Sequence, residues 1–229
     1  MRLAWIAAVG LVLWAGWAWT ARSARCAGRS VADVVRSLGP AARDRLRPHF
    51  ERARVPYPPA HVTLIILKDE RRLELWAGSA PAGQHHVRSY EILAASGGPG
   101  PKLRQGDLQV PEGVYRILWL NPASSYHLSL KLDYPNAFDR ARAHADGRQN
   151  LGGDIFIHGR AVSIGCVAVG DPGIEELFVL AAEVTPARVR TLVAPHDLRR
   201  RPAPTAPHPD WVAGLYRDLA RELRAFPAP

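Results

Sequence analysis

The chain has 229 residues and a formal net charge of +9, a length that suits one medium-sized domain with extensions. Residues 61–195 hold 14 basic and 14 acidic side chains, whereas residues 22–54 hold nine arginines against three acidic residues. No basic and aromatic interleaving accompanies the excess, so the composition argues against nucleic-acid binding. With only two cysteines, Cys26 and Cys166, a disulfide framework is not indicated.

An uninterrupted apolar segment of 17 residues runs from residue 3 to residue 19, between Arg2 and Arg22. It predicts a signal peptide or membrane anchor over residues 1–25, and its length fits either. We therefore expect an exported protein of the periplasm or cell envelope, either released or anchored to the inner membrane. The basic stretch that follows could lie against anionic lipid or cell-wall polymer, but Arg-rich codon usage explains it at least as well.

Residues 26–60 are predicted to form a basic helical lead-in and a Pro-rich linker. The apolar spacing indicates two short amphipathic helices, broken at Gly39-Pro40. The prolines from Pro56 to Pro59 then stop helix formation and mark a domain boundary.

From residue 61 the apolar period changes to that of short strands. The predicted strands are 62–67, 73–76, 87–94, 114–120, 126–132, 155–157, 164–169 and 189–193. Asp171-Pro172 predicts a helix N-cap with proline at the first helical position, followed by a helix to about residue 183. Residues 196–229 read as a Pro-rich basic tail with an amphipathic helix.

A histidine and a cysteine stand eight positions apart in His158-Gly-Arg-Ala-Val-Ser-Ile-Gly-Cys166. A thiol attacks a carbonyl as the thiolate, and a neighbouring imidazole lowers its pKa and can protonate the leaving amine. The short connection with two glycines can fold His158 back toward Cys166. Gly165 permits a positive φ that would point nearby amides at an oxyanion, and Ser163 can bond to the loop or to substrate.

His-Gly, a short spacer and Ser-x-Gly-Cys together resemble the signature of the L,D-transpeptidase (YkuD-like) catalytic domain family. Upstream, Val110-Pro-Glu-Gly113 resembles the family's Thr-Pro-x-Gly segment. Tyr134-Pro-Asn136, Asp139-Arg140 and Gly152-Gly-Asp-Ile155 are similar to the YafK-like branch, which has the short His-to-Cys spacer. The resemblance spans residues 61–195, which we take as the catalytic domain.

The resemblance implies a mainly β, sandwich-like domain with a helix after the cysteine, flanked here by N- and C-terminal helical extensions. It implies Cys166 as nucleophile, His158 as proton donor and acceptor, the Gly159 carbonyl as the group that orients the imidazole, and Gly165 in the oxyanion region. The residues predicted to contact substrate are Ser163, Arg160, His127, Lys102, Tyr134 and Asn136.

The implied reaction is attack by Cys166 on the carbonyl at the L-centre of the third residue of a peptidoglycan stem peptide. The terminal D-amino acid leaves and a thioester forms. An amine resolves the thioester in transpeptidation, whereas water resolves it in a peptidase or amidase, and the resemblance covers both. Stem peptides are the implied partner, and no cofactor or metal is implied.

One position departs from the pattern. Many family members have Arg two positions after the cysteine, where this sequence has Ala168. The departure favours a different pose or acceptor, with Lys102, Arg104 or Arg160 as the candidate replacement cation.

Two other interpretations compete. His158 and Cys166 could be metal ligands completed by His85, His86 or His127, or the pair could be vestigial in a wall-binding module. Trp76 and Trp119 are interpreted as core residues and not as sugar platforms.

Overall fold

The computed structural model describes residues 28–80, 82–205 and 208–229. The predicted signal peptide or anchor and Cys26 therefore lie outside the described residues. Among the helices of the described ranges, none is both long enough and apolar enough to span a membrane.

Helix α1 spans Val31–Ala53 and begins at a capping box formed by Ser30 and Asp33. The prediction of two helices broken at Gly39-Pro40 is wrong, because the helix continues through Pro40 and Pro48. An interior proline costs a helix about 3 kcal/mol. Here tertiary packing offsets that cost, since the helix buries an apolar face against the core that includes Leu46 and Phe50.

Ion pairs fix α1 to the helix that follows the predicted nucleophile, α3 (Gly170–Val184). Arg45 lies 2.8 Å from Glu175 and 2.8 Å from the buried Glu176. Glu176 also accepts a hydrogen bond from Tyr90 at 2.9 Å. Arg43 also lies 2.6 Å from Glu183 on α3, so the basic lead-in uses at least two of its arginines in the fold.

In the described part of the chain, nine strands form one continuous sheet in the order β3-β2-β1-β9-β5-β6-β7-β8-β4. Their bounds are β1 His61–Leu67, β2 Arg72–Gly78, β3 His85–Glu91, β4 Ala94–Ala95, β5 Gly113–Ser124, β6 His127–Leu132, β7 Phe156–His158, β8 Val167–Ala168 and β9 Val189–Ala194. The long strand β5 belongs to both halves of the sheet. Its first four residues pair with β9, and residues from Ile117 onward pair with β6.

The remaining helices are α2 (Ala137–Ala145) and α4 (Trp211–Leu223), with a 3-10 turn at Pro186–Arg188. The predicted N-cap at Asp171 is wrong: α3 begins at Gly170, without a side-chain cap. Asp171 instead accepts a hydrogen bond from the Arg160 amide at 2.8 Å, so this carboxylate fastens a loop to the helix.

The predicted class is confirmed: the part of the chain from β1 to β9 is mainly β, a curled sheet with helices at its ends. The predicted C-terminal amphipathic helix is also present as α4, with Val212, Leu215, Leu219 and Leu223 buried. The exact domain boundaries stay a prediction.

A buried carboxylate attaches α4 to the segment that leads into β5. Glu112 accepts hydrogen bonds from Lys68 at 2.9 Å, from the Gly100 amide at 2.8 Å and from the Tyr216 hydroxyl at 2.7 Å. The Glu112 side chain is fully buried, so water cannot replace a lost donor.

We expect Tyr216→Phe to lower the free energy of unfolding by about 1.5–3 kcal/mol, because a buried charged acceptor loses one donor. Urea unfolding at pH 7 measures the change. Tyr57→Phe is the matched control, since Tyr57 donates at 2.6 Å to Glu183, whose side chain keeps 19% exposure. A loss for Tyr216→Phe no larger than that of the control would contradict the role of burial.

Candidate active site

Two rows of side chains cross β5, β6 and β7 on one face of the sheet. Strand pairing aligns Asn121 with Ser129, and Ser129 with His158. Side chains two positions apart along a strand share a face. The next row consists of Trp119, Lys131 and Phe156.

Cys166 reaches the same face immediately before β8. Strands β7 and β8 run parallel and pair His158 with Ala168, so the register continued backward sets Cys166 beside Phe156 and diagonally from His158. Cys166 and His158 line one cavity of about 190 Å³. The rest of its lining comes from Asn121, Ser124, Ser125, Tyr126, Ser129 and Phe156.

His158 is buried, and a main-chain oxygen fixes its ring. Its Nδ1 lies 2.7 Å from the Gly159 carbonyl oxygen. A carbonyl only accepts, so Nδ1 carries the hydrogen and the neutral ring keeps its lone pair on Nε2. The Tyr126 ring packs against the imidazole at 4.6 Å between centroids. Burial lowers the pKa of His158, and the bond to Gly159 opposes this only in part.

Gly159 sits where no larger residue fits. A Cβ at this position would lie 2.5 Å from the Asp171 carboxylate and 2.8 Å from the Tyr126 carbonyl. Its amide donates to the carbonyls of Tyr126 and Leu128 at 3.2 and 3.3 Å. The Arg160 amide, in the same peptide group as the Gly159 carbonyl, donates to Asp171, so Gly159 is fixed on both sides and its carbonyl with it.

The Cys166 thiol is half-buried and donates to the Asp154 carbonyl at 3.6 Å. Burial raises the pKa of the thiol, while the Phe156 main chain and the Lys131 charge offset the shift only in part. With the lowered pKa of His158, both groups favour their neutral forms. The sequence instead predicts that the neighbouring imidazole lowers the pKa of the thiol and so favours the thiolate.

The loop before Cys166 is closed by serine hydroxyls. Ser163 Oγ accepts from the Cys166 amide at 2.9 Å and donates to the Cys166 carbonyl at 2.6 Å. Gly165 has φ 104°, a conformation that favours glycine, and its amide donates to Ser96 Oγ at 2.5 Å. The amides of Gly165 and Cys166 therefore bond to hydroxyls in this conformation and are not open to an oxyanion.

Two predicted substrate contacts lie elsewhere. The His127 ring bonds Glu175 on α3 at 3.0 Å, and it is the preceding residue, Tyr126, that lines the cavity. Lys102 is buried and bonds Asp107 at 2.5 Å. Neither side chain borders the cavity.

Tyr134 and Asn136 have structural roles at the start of α2. Tyr134 is buried and donates to the Leu151 carbonyl at 3.1 Å, and Asn136 caps α2. Arg160 is exposed, with φ 58°, in the loop after His158. None of these three residues borders the cavity.

The structure adds residues that the sequence reasoning missed. Tyr126 covers the His158 ring, Asp154 holds the thiol, and Lys131 lies in the row of Cys166. Trp119, interpreted as a core residue, is 44% exposed. The alternation Leu128-Ser-Leu-Lys-Leu132 carried a signal for Lys131, because it sets Ser129 and Lys131 on the face opposite the three buried leucines.

The described residues contain no cluster of ligands for the alternative metal site. Within the described ranges, no group of three or more His, Cys, Asp or Glu side chains is arranged to hold a metal ion. His85 and His86 lie on β3 at one edge of the sheet, far in strand order from β7.

Comparison with solved structures gives distant neighbours. The helical cell shape determining protein Pgp2 of Campylobacter jejuni is 22% identical, with a TM-score of 0.49, over 69% of this chain and 54% of that chain. Bd1075 of Bdellovibrio bacteriovorus is 21% identical, with a TM-score of 0.43, over 72% of this chain and 56% of that chain.

Among curated proteins, the predicted L,D-transpeptidase YafK of Escherichia coli K12 is 41% identical over 119 residues. The match covers 51% of this chain and 46% of YafK, so the chain spans about half the length of that relative. The family model for YkuD, the L,D-transpeptidase catalytic domain, matches residues 61–189. This match takes in every strand from β1 to the start of β9, and the chain belongs to the L,D-transpeptidase catalytic domain family.

Proposed function

We propose that the protein is a peptidoglycan L,D-transpeptidase in which Cys166 forms a thioester with a stem peptide at the L-centre of its third residue. An amine acceptor then takes the acyl group in wall biogenesis or remodelling. The observation that carries the proposal is the joint placement of Cys166 and His158 in one cavity, on one face of the sheet. The family match supports the same reaction class.

The proton path follows from the neutral resting forms. In the first step the Cys166 side chain turns from the Asp154 carbonyl toward His158, and Nε2 accepts the thiol proton as Sγ bonds to the peptide carbonyl carbon. The imidazolium then protonates the leaving D-amino acid nitrogen, and the C–N bond breaks to give the thioester. In the second step the acceptor amine nitrogen bonds to the thioester carbon while Nε2 takes its proton. The C–S bond then breaks to leave the new amide, and Nε2 returns the proton to Sγ.

Oxyanion stabilisation requires a rearrangement of the loop. The Gly165 and Cys166 amides bond to Ser96 and Ser163, so a substrate carbonyl oxygen must displace a hydroxyl from one of them. Both hydroxyls belong to flexible serine rotors, and we propose that substrate binding makes this exchange.

The substrate defines the compartment, since peptidoglycan lies outside the cytoplasmic membrane. We propose that the apolar segment of residues 3–19 directs export, and that the protein acts in the periplasm or cell envelope, released or attached to the inner membrane. Nucleic acid is not a proposed partner.

The first prediction concerns the acyl-enzyme. Incubation with a stem tetrapeptide and an amine acceptor is expected to give a thioester adduct on Cys166, measured by intact-protein mass spectrometry and peptide mapping. Cys166→Ala removes the nucleophile and His158→Ala the base, so we expect each to lower turnover by at least about 10³-fold. Cys26→Ala is the matched cysteine control and is expected to keep wild-type turnover.

The products separate the competing activities. A crosslinked product that depends on the acceptor supports transpeptidation, whereas a shortened peptide formed equally without the acceptor indicates a hydrolase. Peptide binding with no adduct in either the wild type or Cys166→Ala would reject the enzyme and favour a wall-binding module.

The second prediction concerns pH. Because burial raises the pKa of Cys166, the reactive thiolate is scarce at neutral pH. The rate of alkylation by iodoacetamide should rise steadily with pH and level off only above the ordinary thiol pKa of about 8.5. Labelling is followed at Cys166 in the Cys26→Ala background.

His158→Ala tests the coupling of the two groups. If Nε2 takes the thiol proton, the variant should be alkylated more slowly at pH 7 than the parent. A plateau already reached at pH 7 in the parent would contradict the neutral resting pair, and equal rates in both proteins would remove His158 from the proton path.

A further inference from the structure

Lys131 is a nearly buried cation in the same cross-strand row as Cys166. It pairs with Phe156 across β6 and β7, its side chain is 10% exposed, and its ammonium lies 4.7 Å over the Phe156 ring. Phe156 separates Lys131 from Cys166 by one strand. A charge in such a setting needs a compensating anion, because burial removes its hydration.

The anion that compensates Lys131 comes from a solvated loop residue. Asp154 Oδ1 lies 2.6 Å from the ammonium, while the Asp154 side chain is 90% exposed. Among the described residues, Asp154 is the sole hydrogen-bonding partner of the Lys131 ammonium. The carboxylate can therefore exchange the ammonium for water easily, whereas Lys131 cannot leave.

The other two lysines differ from Lys131 in this respect. Lys68 bonds the buried Glu112 and two carbonyls. Lys102 bonds Asp107, whose side chain is largely buried, and the Arg104 carbonyl. Only Lys131 of the three holds a carboxylate that water and a ligand can reach.

Asp154 also joins this ion pair to the thiol. Its main-chain carbonyl accepts from Cys166 Sγ, and its φ of 57° sets the carbonyl and the carboxylate in a left-handed turn. Burial dominates the raised pKa of Cys166, and the Lys131 ammonium is one of the groups that lower it, which is consistent with a cation close to the sulfur.

We propose that Lys131 is a specificity-determining residue that binds a side-chain carboxylate of the donor peptide, and that this carboxylate displaces the Asp154 side chain from the ammonium. Asp154 then acts as a built-in competitor that keeps the cation paired when the site is empty. The donor class is a peptide with a free carboxylate near its scissile bond. The assignment rests on the proposed function in so far as that peptide is what Cys166 attacks.

The test compares two alkylating reagents of similar size, anionic iodoacetate and neutral iodoacetamide, on Cys166 in the Cys26→Ala background. A change in thiol pKa or exposure alters both rates, so their ratio isolates the attraction of a carboxylate. We expect Lys131→Met to lower the iodoacetate:iodoacetamide ratio about tenfold. Asp154→Asn, which keeps the left-handed backbone accessible, should raise the ratio several-fold, because the competitor is gone.

Two controls define the result. Lys131→Arg should retain the parental ratio within a factor of about two, since it restores the charge. The second control is Arg224→Met, which removes an exposed charge just after α4. The segment that follows Arg224 packs on Trp76 of β2, far in strand order from β6 and β7, so this variant should leave the ratio unchanged. An unchanged ratio in both Lys131→Met and Asp154→Asn would overturn the proposal. Should Lys131→Met not fold, the exposed Asp154 variant decides alone.

A peptide arm separates this proposal from the proposed function. With stem tetrapeptides whose side-chain carboxylate is free or amidated, Lys131→Met should raise KM for the free form and leave KM for the amidated form unchanged. Equal effects on the two forms would overturn the assignment to the donor. A shifted reagent ratio without any acyl-enzyme would reject the transpeptidase and keep the anion site.

Discussion

The hydrogen bond from His158 Nδ1 to the Gly159 carbonyl determines the proton chemistry of the site. A carboxylate in that position would stabilise the imidazolium and raise its pKa. A carbonyl carries no charge, so burial prevails and the ring stays neutral. The bond still fixes the tautomer, which leaves Nε2 as the nitrogen able to accept a proton. In the proposed reaction, a half-buried thiol beside such a base is best suited to give up its proton during attack and not before it.

The position of that carbonyl depends on contacts well beyond the loop that joins His158 to Cys166. Gly159 fits between the Tyr126 carbonyl and the Asp171 carboxylate, and Asp171 belongs to the first turn of α3. Helix α3 is in turn fixed to α1 by Arg45 and its two glutamates. A helix that precedes the β domain in sequence thus helps to set the orientation of His158 through α3.

The sequence predicted most of what depends on local pattern. The strands of the β1–β2 hairpin, helix α4 and the His158–Cys166 pairing follow from periodicity and motif spacing. It failed where tertiary contacts override a local rule. Pro40 lies inside a continuous helix because packing offsets its cost, and Asp171 caps no helix because its carboxylate bonds the loop instead.

Strand register explains the remaining misses. His127 was predicted to contact substrate, but the turn between β5 and β6 gives His127 a φ of 73° and its ring contacts Glu175 on α3. The alternation along β6 indicates that Lys131 lies on the face opposite the three buried leucines. Only the pairing of β6 with β7 shows that this face also carries Cys166. Strands that pair in a sheet can be far apart in the sequence, so a local sequence pattern does not show which strands are neighbours.

Ala168, two positions after Cys166, is consistent with the cross-strand rows of side chains on β5, β6 and β7. Ala168 is fully buried and pairs with His158 on β7 and with Ala94 on β4. A long cationic side chain there would have to enter a closed interior beside the imidazole, and its charge would disfavour the imidazolium that forms when Nε2 accepts the thiol proton. Lys131 on β6 avoids both problems. Phe156 lies between it and Cys166, and it belongs to the cross-strand row of Cys166 and not to the row of His158.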